Sequence, residues 1–291
     1  MLIDAHHHLW RYNDRDYVWM SGEMAALRRD FVMPDLERVT RESGVDGTIA
    51  VQARQTLEET LWLLELAAHH PLLLGVVGWI ALAAPDVAGY LDRLAGNAKL
   101  KGVRHVLHDE PDDLYMLRED FNRGVSLLQV RGLVYDILIF ERHLPQTLTF
   151  VDRHPQQIFV VDHIAKPRIR EGMIASWKKN LTELAKRENV YCKISGMATE
   201  AEWKSWSPEQ LRPYFDVVLA AFGPERLMFG SDWPVLTLAG SYRRWVETFR
   251  GFIAELSGDE QSEICSGTAT RAYRLTSPAS ADGHAAITAR N

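Results

Sequence analysis

A chain of 291 residues with 46% hydrophobic and 25% charged side chains has a soluble, globular composition, long enough for two small domains or one large barrel. Its net charge of −6, from 33 basic and 39 acidic residues, argues against a polyanion-binding surface, so no nucleic-acid partner is expected. No run of about 18 apolar residues occurs, so no membrane-spanning helix is expected. The first residues lack the basic-then-apolar pattern of a secretory leader. Cys192 and Cys265 form no CxxC pair, and reduced thiols in a cytoplasmic protein are the expectation.

Short apolar runs, most of them rich in Val and Ile and each ending near a polar residue, recur along the chain. They occupy 2–6, 47–52, 74–79, 101–105, 133–136, 158–163, 190–193 and 227–232. Short, nearly continuous runs are what strands buried on both faces look like. Helical periodicity fills the gaps. The segment 34–43 has Pro34 in its first turn and stops before Gly44. The segment 56–70 offers Thr56 as N-cap with Glu59 three residues on, a capping-box pattern. Further helices are expected over 85–95, 118–130, 141–154, 174–188 and 208–222, then over 241–256 and 259–273 after the last strand. Strand then helix, eight times, predicts an α/β protein with a single (β/α)8 TIM-type barrel over 1–275. A doubly wound open sheet usually has fewer strands and a Gly-rich first turn, and neither GxGxxG nor GxxxxGK[ST] occurs.

Two segments fall outside this pattern. Residues 11–30 form an aromatic-rich insertion after the first strand, with Tyr12, Tyr17 and Trp19 following Trp10. Such a loop could cover a ligand or simply fill space. Residues 276–291, rich in Ala, Ser, Thr and Gly, read as a frayed tail.

The first strand runs into Asp4-Ala5-His6-His7-His8. Alternate residues of a strand share a face, so His6 and His8 aim at one point while His7 turns away. A purification tag is usually a longer pure run set off by a linker, whereas this one is fused to a strand. In a barrel the active site lies at the C-terminal strand ends. Those ends carry His6 and His8, Gln52 and Arg54, Trp79, Arg104 and His105, Asp136, His163, Lys193 and Ser195, and Asp232. Buried charge is costly without partners, so this convergence points to mutual pairing around a ligand. Strands one and eight are neighbours in a closed barrel, which brings Asp232 to the histidine pair, with His163 completing the group. Three imidazoles and a carboxylate suit one divalent cation, zinc foremost. They equally suit a metal-free site in which protonated histidines polarise a carbonyl and Asp232 takes a proton from water.

The strand-end motifs, taken together and in order, resemble the amidohydrolase superfamily. They are Asp4-Ala5-His6-His7-His8, Val51-Gln52-Ala53, Gly102-Val103-Arg104-His105, Asp162-His163-Ile164-Ala165-Lys166-Pro167, Cys192-Lys193-Ile194-Ser195-Gly196 and Phe229-Gly230-Ser231-Asp232-Trp233-Pro234. The likeness is to the subgroup of sugar-lactone hydrolases that includes L-fuconolactonase and L-rhamnonolactonase. It implies that Asp232 is the general base for the attacking water. It implies that His6, His8, His163 and Asp232 hold a metal, or that the histidines polarise the lactone carbonyl directly. Arg104 and Lys193 would contact substrate oxygens or the tetrahedral oxyanion. Binuclear members carry a bridging lysine where this chain offers Asp136, so at most one metal ion is expected.

Gln52, Arg54, Trp79, His105, Asp136 and Trp233 are the candidate substrate contacts, with Trp79 and Trp233 able to stack on a sugar ring or to serve as packing. His105 and His108 could alternatively act as structural caps. His69, His70, His143 and His154 fall in helical stretches as solvated or packing residues, and Cys192 reads as core filler. No GxSxG elbow or HExxH occurs, which argues against serine-hydrolase and zincin chemistry. The implied partner is a small aldonolactone, with the protein a monomer or homodimer. A dicarboxylate lactonase drawing on Arg54, Arg104 and Lys193, a decarboxylase on the same scaffold, and a non-catalytic binding barrel are the competing readings.

Overall fold

The computed structural model describes residues 1–276 apart from Ser21 and Ala95. The tail expected over 276–291 lies outside the described residues beyond Thr276. Eight parallel strands follow one another in chain order around the sheet: β1 Ile3–His7, β2 Gly47–Val51, β3 Leu73–Gly78, β4 Leu100–Val106, β5 Val134–Leu138, β6 Phe159–Val161, β7 Val190–Ile194 and β8 Leu227–Phe229. This is the expected TIM-type barrel, and it is distorted at its seam. Instead of a regular ladder, the residues after β8 close the ring, with Asp232 N–H donating to the His6 carbonyl at 2.8 Å and His8 N–H to the Trp233 carbonyl at 2.7 Å. Asp4 staples the same seam. Its carboxylate accepts from Ser231 N at 2.8 Å, Ser231 Oγ at 2.6 Å and the Tyr242 hydroxyl at 2.8 Å, all buried.

Helices surround the sheet: α1 Met33–Ser43, α2 Leu57–His69, α3 Val87–Leu94, α4 Glu119–Gln129, α5 Leu144–Asp152, α6 Ala175–Leu184, α7 Met197–Glu200, α8 Pro208–Phe222, α9 Tyr242–Ile253, α10 Gly258–Ser262 and α11 Thr268–Ala272. Thr56 caps α2 as expected by accepting from Glu59 N–H. Glu59 leaves the capping box incomplete, because its buried carboxylate instead accepts from the Ala53 and Arg54 amides at 2.8 and 2.7 Å. The single helix expected over 259–273 is broken by a π-turn at Glu263–Gly267 between α10 and α11. None of the described helices is long and apolar enough to cross a membrane.

The barrel interior is filled by alternate strand residues such as Ile3, Val77, Val160 and Met228, and Tyr273 and Leu275 pack at one end of it. A larger apolar layer lies between strands and helices. One register break matters for the site. Between Asp4 and His7, β1 gains a residue over β2. Strict alternation would send His6 outward after Asp4; the bulge turns it back to the interior side. The insertion 11–30 returns to the barrel where Phe31 pairs antiparallel with Trp10, and the Trp10 ring packs edge-on against Phe31 and Trp19.

Gly124 of α4 rests directly on the chain at Leu82, where an added Cβ would stand 2.1 Å from the Leu82 carbonyl oxygen. Backbone cannot swing aside as a side-chain tip can. Gly124→Ala is expected to lower stability by about 1–3 kcal/mol, read as a lower urea midpoint; an unchanged midpoint would contradict this packing.

Candidate active site

Two short strands set up the mouth. β6 and β8 end sooner than the apolar runs predict because the chain leaves extended geometry. His163, Ile164, Ala165 and Lys166 have φ of 53°, 48°, 61° and 46°, and Asp232 has φ of 57°. Left-handed backbone in non-glycine residues costs about 1–3 kcal/mol each and persists only where the surroundings hold it. Here it turns His163 and Asp232 into the barrel mouth. Gly196 makes room, since a Cβ there would lie 2.7 Å from the His163 side chain.

His6 Nε2 lies 3.3 Å from His8 Nε2 and 3.8 Å from Asp232 Oδ1. The same Asp232 oxygen is 3.3 Å from His8 Nε2 and 3.8 Å from His163 Nε2. Bonds of about 2.0–2.1 Å to a tetrahedral zinc would put neighbouring ligand atoms about 3.3–3.4 Å apart, which the His6–His8 and His8–Asp232 distances match and the two 3.8 Å distances exceed. The tautomers fit as well. His8 Nδ1 is 2.8 Å from the Val51 carbonyl and must donate to it, which leaves Nε2 facing the Asp232 carboxylate. His163 Nδ1 meets Ser195 Oγ at 2.8 Å, leaving Nε2 toward Asp232. Burial pushes the His163 imidazolium down to about 3 despite the opposing pull of Asp232. Burial likewise holds His6 well below its ordinary value against the attraction of Asp162. For Asp232 burial works upward, but His163, His8 and His6 outweigh it and keep the carboxyl well below the usual range. His6, His8 and Asp232 lie close enough together to be candidate ligands for a metal ion, as do His6, Asp162 and His163, and Arg104 Nη1 also lies 3.3 Å from His6 Nε2.

Beneath this set lies a closed charge network. Asp162 accepts from Lys193 Nζ at 3.0 Å and Arg104 Nη1 at 3.1 Å, and lies 3.2 Å from His6 Nδ1. Lys193, fully buried, also pairs with Asp136, which accepts from the Tyr273 hydroxyl at 2.8 Å. Burial raises Asp136 to about 6 even against Lys193.

A cavity of about 370 Å³ opens beside the metal-ligand candidates. Of the polar residues singled out in the sequence, His8, Arg104, His108, His163 and Asp232 line it, and His6 Nε2 lies 3.3 Å from His8 Nε2. Lys193, Asp136 and Gln52 are fully buried and do not line it, Gln52 giving its carbonyl to Arg104. Arg54 turns to Asp16 and Glu59. Trp79 donates to His105, which pairs with Glu110 and stacks on Tyr115. Trp233 is buried edge-on against Phe31. The aromatic lining comes from Trp10, Trp19 and Phe140 instead. His143 and His154 bond to Asp113 and Asn122, and Cys192 is buried.

The family model for amidohydrolases matches residues 3–275. The chain belongs to the amidohydrolase family. An L-fucono-1,5-lactonase from Burkholderia multivorans is 41% identical to it over 96% of this chain and 98% of the relative. Another, from Burkholderia ambifaria, is 37% identical over 97% and 98%. The crystal structure of an amidohydrolase from Burkholderia multivorans with bound zinc superposes with a TM-score of 0.92 at 41% identity, covering 95% of this chain and 100% of that one.

In this amidohydrolase Lys166, Glu200 and Asp162 line or brace the site without having been candidates in the sequence, whereas His108, which also lines it, was one. Lys166 and Asp162 stood inside a quoted motif, but both lay in a stretch read as strand and the loop after it. Glu200 belongs to the short α7, which periodicity over four residues cannot reveal.

Acid should unfold the protein by a defined route. Unfolded histidine titrates near 6.5, whereas burial holds His163 and His7 near 3 and His108 near 2. The unfolded chain therefore binds more protons below 6.5, and stability is lost as pH falls through that window. Asp4 and Asp136, raised by burial to about 6, and Glu59, raised to about 7, act in the opposite sense between about 4 and 7. With His6 added the histidines outnumber them, so the urea midpoint is expected to fall from pH 6.5 to 4.5. A flat or rising midpoint would contradict this balance.

Proposed function

We propose that this amidohydrolase hydrolyses a small sugar-acid lactone of the L-fucono type. The observation that carries the reading is the ionised Asp232 carboxylate, ringed by His6, His8 and His163 on the wall of a small cavity. Two relatives at 37–41% identity over nearly the whole chain bear the name L-fucono-1,5-lactonase, which supports the substrate class. The zinc in the similar Burkholderia multivorans structure supports that metal on His6, His8, His163 and Asp232. A divalent ion held by these side chains supplies a Lewis acid for the carbonyl oxygen and acidifies water.

The chain's own groups then divide the work. Asp232 takes a proton from the water whose oxygen bonds to the acyl carbon, and returns it to the ring oxygen as the acyl carbon–ring oxygen bond breaks. Arg104, braced by Asp162 and the Gln52 carbonyl, presents a guanidinium toward the cavity and the developing oxyanion. Losing one such donor costs about 10²–10³ in rate in other hydrolases. Lys193, enclosed by Asp136, Asp162 and His6, positions His6 and Asp162 and does not reach the substrate. A cavity of about 370 Å³ falls at the small end of the usual range of about 300–1,000 Å³, which suits a single ring. The dicarboxylate reading finds little support, because Arg54 and Lys193 are both committed to carboxylates away from the cavity.

Asp232→Asn is expected to lower kcat by about 10³-fold or more with unchanged circular dichroism; near-wild-type turnover would overturn its role. A pH-indicator assay over a panel of aldonolactones is expected to find a substrate whose turnover falls with chelator and returns with zinc. Turnover indifferent to chelator would remove the metal from the proposal. Carbon dioxide release from a carboxylic acid, with no lactone opened, would overturn the function.

A further inference from the structure

Four polar residues line the cavity without belonging to the set that carries the chemistry: His108, Asp109, Lys166 and Glu200. Lys166 and Glu200 are joined, Nζ donating to Oε1 at 2.7 Å, both largely shielded from solvent. They are also placed with unusual backbone support. The left-handed turn that delivers His163 ends on Lys166, and residues three apart in so tight a turn lie on the same side. Lys166 therefore shares the cavity with His163 because of the strain, and Lys166 N–H closes the turn on the His163 carbonyl at 2.8 Å. Glu200 closes α7, which starts after Gly196, the residue whose missing Cβ admits His163. The Glu200 carbonyl accepts from Arg170 N–H at 3.0 Å, tying α7 to the segment after the turn. Left-handed backbone at Lys166 marks functional placement, and Lys166 spends its hydrogen bond on Glu200 and not on Asp232.

We propose that the Lys166–Glu200 pair is the specificity-determining element of the site and reads two neighbouring ring hydroxyls of the lactone. The inference rests on the lactone reading above. Ammonium and carboxylate offer one donor and one acceptor at 2.7 Å, close to the separation of the oxygens in a vicinal diol. Each hydroxyl can donate to Glu200 and accept from Lys166, so a diol satisfies both ions, while a ring without hydroxyls leaves a half-buried ion pair against apolar surface. His108 adds to this polar wall. It is stacked on Phe140 at 4.6 Å, and its buried Nδ1 has no hydrogen-bond partner among the described residues.

The test compares a trihydroxylated aldono-1,5-lactone with unsubstituted δ-valerolactone, which has the same ring and scissile bond. Lys166→Met and Glu200→Gln are each expected to reduce the wild-type preference in kcat/KM for the hydroxylated ring by about 10²-fold. The double variant should do little more than either single one, because the pair acts as a unit. Equal losses on both lactones would overturn the inference and leave the lactonase reading intact, as would an unchanged preference. If the wild type opens neither lactone nor any other in the panel, the underlying reading fails and this one with it. Glu200→Gln preserves shape, so the comparison survives if Lys166→Met proves unstable.

Discussion

Desolvated charge at the mouth of the barrel is the constraint around which the rest is arranged. Asp162, fully buried, is met by Lys193, Arg104 and His6 together. Lys193 in turn needs Asp136, and Asp136 is hydrogen bonded by Tyr273. A charge so deep in protein is destabilising by several kcal/mol unless it is paired and hydrogen bonded. Each residue of the network is therefore held by the next, from α11's end up to His6. That fixes the orientation of a proposed metal ligand without any contact from solvent.

Above this network the chain gives up regular structure. Four consecutive residues after β6 and one after β8 turn left-handed, Asp232 keeping its N–H bond to the His6 carbonyl across the seam. The insertion 11–30 completes the cavity on the other side through Trp19 and Met24. Within that insertion Trp19 both packs against Trp10 and lines the cavity. Rigid interior charges below and strained turns above leave few ways for the site to relax, which is how a small cavity keeps its shape.

Much of this was legible in the sequence, for particular physical reasons. The eight apolar runs located every strand, because strands buried on both faces are apolar throughout. The alternation in Asp4-Ala5-His6-His7-His8 grouped His6 with His8, and the neighbouring of first and last strands brought in Asp232. The limits have equally definite causes. Alternation cannot show a bulge, and without the bulge in β1 His6 would face outward. Strand-end position does not distinguish a group that reaches the cavity from one locked beneath it, which is why Lys193 and Asp136 looked like substrate contacts. Bulky aromatics at strand ends were equally ambiguous: Trp79 and Trp233 pack away from the cavity, while Trp10 and Trp19 face it.

The seam at Asp4 bears on how the enzyme comes into being. Its carboxylate clasps Ser231, 227 positions along the chain, and the neighbouring His6 and His8 meet Asp232 across the same join. Contacts so distant in sequence form late and slowly, because the intervening chain must be ordered before they are worth making. No fragment emerging from the ribosome before the last strand could hold these side chains together. The candidate site is thus assembled in one step, when the two ends of the barrel meet.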